Sequence, residues 1–133
     1  MTDYASPREV FAAVDGFASE VESRLRAVAG RAPLSRKLAL SFLGDHERHR
    51  RQRAALLVRL GLAAAPPLPP APAADASLDG LRTAQDALVL AHAEGLSALG
   101  DAKAVDVMAQ HMVDHSRHLT LIDLWLEQEQ PNG

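Results

Sequence analysis

The chain has 133 residues, of which 47% are hydrophobic and only 4% aromatic, and its formal net charge is −3. This length predicts a single domain, and the mild negative charge argues against a general nucleic-acid-binding surface, which would need a basic face. The chain contains no cysteine, so disulfides and thiolate metal sites are excluded as well. Neither a signal peptide nor a membrane-length apolar stretch is visible, so we expect a cytoplasmic protein with no membrane partner.

The hydrophobic spacing predicts an all-α fold, a four-helix bundle made of two antiparallel hairpins. The first helix has the clearest start, because Ser6 is a good N-cap, Pro7 suits the first helical position and Glu9 completes a capping box. Gly61 is expected to stop the second helix. The predicted helices cover about residues 6–29, 35–60, 78–99 and 101–129 of one domain, 1–133.

A proline-rich segment, residues 62–77, joins the two hairpins. Extended at ~3.1 Å per residue, it could reach about 50 Å, whereas a helix of about 24 residues is only about 36 Å long. We therefore expect a crossover that runs the full length of the bundle. The alternative, a flexible linker between independent hairpins, would leave each hairpin with little core.

The pentapeptide Asp-His-x-Arg-His occurs twice, at residues 45–49 and 114–118, each time near the middle of the second helix of a pair. Eight residues before the glycine that closes each preceding helix stand Glu22 and His92. The apolar stripes through these two residues align with one another. The chain thus resembles two copies of one helical hairpin.

Residues three apart share one face of a helix, so His46 and His49 can point to one place, as can His115 and His118. Imidazole is a common ligand of transition metals. The sequence therefore predicts a site inside the bundle for an ion such as iron, zinc, copper or manganese, used for storage, buffering or redox chemistry. The candidate ligands are Glu22, His46, His49, His92, His115 and His118.

This arrangement resembles that of the ferritin-like di-iron proteins. In that family the second and fourth helices carry Glu-x-x-His, often written Asp-Glu-x-Arg-His, and the first and third helices add one Glu each. Here His46 and His115 stand at the Glu positions of the motif, while Glu22 and His92 fall at the positions of the two added Glu residues. The resemblance implies a ferritin-like bundle that binds metal and, by analogy, pairs as a homodimer.

The substitution of imidazoles for carboxylates leaves several alternatives open. A neutral imidazole does not bridge two metals, so one ion, two separate ions and a site without metal all remain. Without metal, Asp45, Asp114 and Gln85 would supply hydrogen-bond partners, and the chain would be a non-catalytic helical interaction or assembly module with a polar histidine core. Asp45 and Asp114 could instead orient ligand rings or be ligands themselves.

Two other patterns are weaker. The spacing of His111 and His115 also occurs in hemerythrin-like bundles, but the first helix of this chain has no histidine. The arginines between residues 48 and 53 are interpreted as a solvated helix face paired with Glu47 or with acids of the first helix, and not as a nucleic-acid surface.

Overall fold

A computed structural model describes residues 4–31, 33–63 and 75–129, apart from the side chain of Leu34. Their secondary structure is helical without any strand, which confirms the predicted all-α bundle. No described helix is both long enough and apolar enough to cross a lipid bilayer. The helices are α1 (Pro7–Ala29), α2 (Pro33–Arg59), α3 (Leu78–Gly95) and α4 (Ala102–Glu129), with a short 3-10 turn at Leu96–Ala98.

The first residues of α1 and α2 differ slightly from the prediction. Ser6 caps α1 from outside the helix, and its hydroxyl accepts a hydrogen bond from the Glu9 amide at 3.3 Å. The Glu9 carboxylate reaches one residue further back than expected and accepts from the Ala5 amide at 2.7 Å. Helix α2 begins at Pro33, two residues before Ser35, because a proline tolerates the first turn of a helix well.

The third helix ends earlier than the predicted boundary at residue 99. Its α-helical part stops at Gly95, which lies so close to Val10 that an added Cβ would collide with the valine side chain. Glycine also has a low helix propensity, so the chain tightens into the 3-10 turn at this point. Gly100 then takes a left-handed conformation with φ of 66°, whereas Gly30 stays right-handed at −82°.

Helices α1 and α3 lie side by side and antiparallel. The end of α3 at Gly95 packs on Val10 near the start of α1, and Gly80 near the start of α3 packs on Arg24 near the end of α1. Since both ends are in contact, the two helices face each other along their whole length.

The described ends of the two hairpins show where the connection between them starts and stops. Helix α2 runs back along α1, with Arg53 donating a hydrogen bond to Asp15 at 2.9 Å, so α2 ends beside the start of α1. Helix α3 begins beside Arg24, near the opposite end of α1. The predicted crossover 62–77 therefore has its ends at opposite ends of the bundle, while its residues 64–74 lie outside the described residues.

The core has apolar ends and a polar middle. In α2 the buried residues between Phe42 and Leu56 are all polar, and the same holds in α4 between Met108 and Ile122. The polar stretch of α2 buries His46, His49 and Arg53, and that of α4 buries His111, His115 and His118. Helices α1 and α3 supply most of the apolar core, including Val10, Phe11, Val14, Ala18, Val21, Leu25, Val28, Leu78, Leu81, Ala84, Leu88 and Ala91.

Candidate metal centre

All six histidines of the chain lie together in the middle of the bundle, and each is at most 4% exposed. His115 is at the centre. Its ring centroid is 5.0 Å from that of His46, 4.8 Å from that of His49 and 4.9 Å from that of His92. We call this group the histidine layer; it consists of His46, His49, His92, His111, His115 and His118.

Three members of the layer have the spacing of a metal-binding group. One ring nitrogen each from His46, His115 and His118 lies within 4.8 Å of the other two. In a tetrahedral site, metal–imidazole bonds of ~2.0–2.1 Å place the ligand nitrogens about 3.4 Å apart. The three rings would therefore have to move closer together, by up to about 1.4 Å between a pair of nitrogens, to coordinate one ion.

The two copies of the pentapeptide are connected to each other through crossed hydrogen bonds. His49 Nε2 lies 2.8 Å from an Asp114 oxygen, and His118 Nε2 lies 2.8 Å from an Asp45 oxygen. Arg48 donates to both carboxylates, at 3.2 Å to Asp45 and 3.0 Å to Asp114. An ionised carboxylate only accepts hydrogen bonds, so the proton of each ring is on Nε2 and Nδ1 is left as a lone pair. A carboxylate that holds a histidine in this way also orients it as a metal ligand.

Two further rings are fixed by the helices around them. His46 Nδ1 donates to the Glu22 carboxylate of α1 at 3.2 Å. His92 Nδ1 donates to the backbone carbonyl of Leu88, one turn earlier in α3, at 2.9 Å. In the neutral form of each ring, the remaining Nε2 is again a lone pair.

The last two rings lie on α4. His111 donates through Nε2 to the Gln52 side-chain oxygen at 2.6 Å, and its ring stacks on His49 with centroids 4.0 Å apart. The ring of His115 has no hydrogen-bond partner on either nitrogen among the described residues, while its backbone carbonyl accepts from the Gln85 amide at 2.8 Å. His115 is therefore held in place by packing and by its backbone.

The hydrogen bonds leave a group of buried nitrogens that lack a donor. Five rings use one nitrogen as a donor, so in the neutral rings the other five are lone pairs. Both nitrogens of His115 join these five. The buried ring nitrogens without a partner among the described residues are therefore His46 Nε2, His49 Nδ1, His92 Nε2, His111 Nδ1, His115 Nδ1, His115 Nε2 and His118 Nδ1.

Burial keeps these rings in the state that binds metal. Desolvation is the main cause that lowers the pKa of His49 and of His92 to about 4, and that of His111 to about 3. It also lowers the pKa of His115 and of His118. The five rings are thus neutral at pH 7, as coordination requires.

Glu22 is the one buried carboxylate among the described residues. Burial alone would raise its pKa, but hydrogen bonds from His46 and Arg50 outweigh that effect, and the pKa is lowered. Arg50 pairs directly with one carboxylate oxygen, and Arg26 lies 3.8 Å from the same oxygen. Because this single carboxylate is already paired with arginine, the residues do not fit a carboxylate-bridged di-iron centre.

The structure brings the predicted ligands together and adds one residue that the prediction left out. All six predicted ligands, Glu22, His46, His49, His92, His115 and His118, reach the histidine layer or touch it. His111 belongs to the layer as well. Its spacing of four residues from His115 was the available signal, since it puts the two rings on one face of α4.

The arginines of α2 follow the prediction only in part, because Arg53 is buried at 4% exposed and Arg48 pairs with Asp45 and Asp114. Arg51 pairs with Glu47 at 3.1 Å, and Arg50 and Arg53 pair with acids of α1.

No family model, curated protein or solved structure matches the chain. The site is therefore interpreted from its own geometry and charge.

Proposed function

We propose that the protein binds a transition-metal ion in its histidine layer. His46, His115 and His118 are the principal ligands, and Glu22, His49 and His92 are further ligands or supports of that site. The observation that carries the proposal is the set of buried ring nitrogens without a hydrogen-bond donor. A buried polar atom with no partner costs about 1–3 kcal/mol, and a metal ion would satisfy several lone pairs at once.

The chemistry of the donors narrows the choice of metal. Neutral imidazoles without thiolates favour zinc, copper or iron, whereas manganese prefers oxygen ligands. The single carboxylate, already paired with Arg50, supports a site for one ion over a bridged pair of ions. Zinc would be stored or buffered there, and copper or iron would add one-electron redox chemistry when bound.

A relationship to the ferritin-like proteins is part of the same proposal. It is supported by the helix order, by the position of the end of α2 and the start of α3 at opposite ends of the bundle, and by the crossed pairing of each Asp with the last His of the other motif copy. A cytoplasmic location and a homodimer stay predictions.

Metal analysis of the purified protein tests the function. After expression in metal-replete medium, we expect elemental analysis to find about one transition-metal ion per chain. The double variant His46→Ala with His115→Ala removes two of the three principal ligands and should carry almost none. The control Leu88→Ala opens a space beside the same layer but removes no ligand, so it should keep its metal.

Two results would count against the proposal. A metal content far below stoichiometry in the unmodified chain would favour the metal-free interaction module. Full metal content in the double variant would show that the ion is bound elsewhere.

A further inference from the structure

A cleft of about 170 Å³ opens between α2 and α4. Asp45 and Asp114 lie in its wall together with His118, and Arg117 and Leu121 line it further along α4. Leu121 is 42% exposed, and the Arg117 side chain is 74% exposed. The cleft therefore reaches from the surface to a buried histidine.

His118 connects this cleft to the candidate metal site. It lines the cleft, yet it is only 4% exposed, and its Nδ1 has no hydrogen-bond partner among the described residues. The same residue belongs to the group of three with His46 and His115. Phe42, which also lines the cleft, stacks on the His118 ring at a centroid distance of 4.2 Å and holds it in position.

We propose that this cleft is the route by which a divalent cation reaches the histidine layer. The inference rests on the proposed metal-binding function and adds where the ion enters and which groups receive it. The carboxylates of Asp45 and Asp114 replace part of the hydration shell of the incoming ion, and His118 is the first imidazole that the ion meets.

The opposite side of the layer offers a much poorer path. The facing sides of α1 and α3 bury apolar side chains that are fully shielded from solvent, among them Val14, Val21, Leu81 and Leu88. An ion crossing there would lose its hydration without gaining a polar partner, which is costly. The seam between α2 and α4 instead contains histidines, Gln52 and the two carboxylates that Arg48 also pairs with.

Charge in the cleft adds a second, independent prediction. Arg117 lines the cleft with its guanidinium 3.8 Å from Asp114, and it adds to the charge of Arg48, which pairs with both carboxylates from outside the cleft lining. A positive charge at this position repels an approaching cation and competes for the carboxylate. Its removal should therefore speed uptake without changing the histidine layer.

The test measures the rate at which the metal-free protein takes up Co²⁺ from cobalt chloride, followed in a stopped-flow instrument by the visible absorption of the bound ion. Leu121→Trp narrows the cleft and should slow uptake at least about tenfold. Leu90→Trp is the matched control, because Leu90 is similarly exposed at 53% but lies on α3, away from the cleft. Arg117→Gln should be faster than the unmodified chain.

Equilibrium measurements separate this proposal from the one on which it rests. All four proteins should bind the same final amount of Co²⁺, since none of the changes removes a ligand. If Co²⁺ binds normally but neither Leu121→Trp nor Arg117→Gln changes the rate, the access route is wrong and the metal site stands. If Leu90→Trp slows uptake as much as Leu121→Trp, the route is also wrong. Failure of the unmodified chain to bind Co²⁺ would overturn both proposals.

Discussion

The metal-free protein should unfold cooperatively in mild acid, with a midpoint between about pH 6 and pH 4.5. The cause is the burial of neutral histidines, whose ordinary pKa is about 6.5. Burial lowers the pKa of His49 and His92 to about 4 and that of His111 to about 3. The unfolded chain therefore takes up protons at a pH where the folded chain does not.

The sign and size of this effect follow from proton linkage. Above pH 6.5 the rings are neutral in both states, and the stability is fully present. As the pH falls below that value, the unfolded state gains protons first and the folded state loses stability. The stability that the neutral rings of His49 and His92 contribute is almost fully lost near pH 4. At pH 5 each of these two histidines lowers the free energy of unfolding by about 2 kcal/mol. The total free energy of unfolding of a domain is on the order of 5–15 kcal/mol. His111, His115 and His118 act in the same direction.

Circular dichroism of the chelator-treated protein between pH 8 and pH 4 would measure this transition. A saturating metal should shift the midpoint to lower pH, because coordinated rings resist protonation. Full helicity of the metal-free protein down to pH 4 would contradict the burial of neutral histidines.

Replacing His115 by leucine should make the metal-free protein more stable while it weakens metal binding. The His115 ring is fully buried, and neither of its nitrogens has a hydrogen-bond partner among the described residues. Leucine has a similar volume and no polar atom, so His115→Leu should raise the free energy of unfolding by about 1–3 kcal/mol. Loss of the central ligand should lower metal affinity by at least about tenfold.

Urea unfolding in chelator, together with metal titration, would test both parts. His115→Ala is the matched control, because it removes the same nitrogens but leaves a cavity, so it should be less stable than His115→Leu. A lower stability of His115→Leu than of the unmodified chain would show that the ring has a stabilising role in the metal-free fold. Unchanged metal affinity would remove His115 from the ligand set.

Much of the fold followed from local signals. Helix spacing, the N-cap at Ser6 and the left-handed glycines Gly61 and Gly100 define most boundaries, because these effects act within one or two turns. The early end of α3 at Gly95 did not follow from local signals, since it depends on contact with Val10 in another helix. Spacing within a helix cannot report such a contact.

The candidate site, too, was predictable where it depends on spacing along the chain and not where it depends on how helices pack. The internal repeat indicated Glu22, His92 and the paired histidines, since it places equivalent residues at equivalent depths. It could not give the crossed pairing of Asp45 with His118 and Asp114 with His49, which depends on how α2 and α4 align. The inclusion of His111 depends in the same way on the rotation of α4 about its axis.

The most direct test of the central claim is to locate the metal itself. Crystals of the full chain grown with cobalt should give an anomalous difference peak enclosed by the rings of His46, His115 and His118. The contrary result would be anomalous peaks only at surface carboxylates, in crystals grown at the same cobalt concentration, while the three rings are ordered and free of metal. That result would contradict the proposed site.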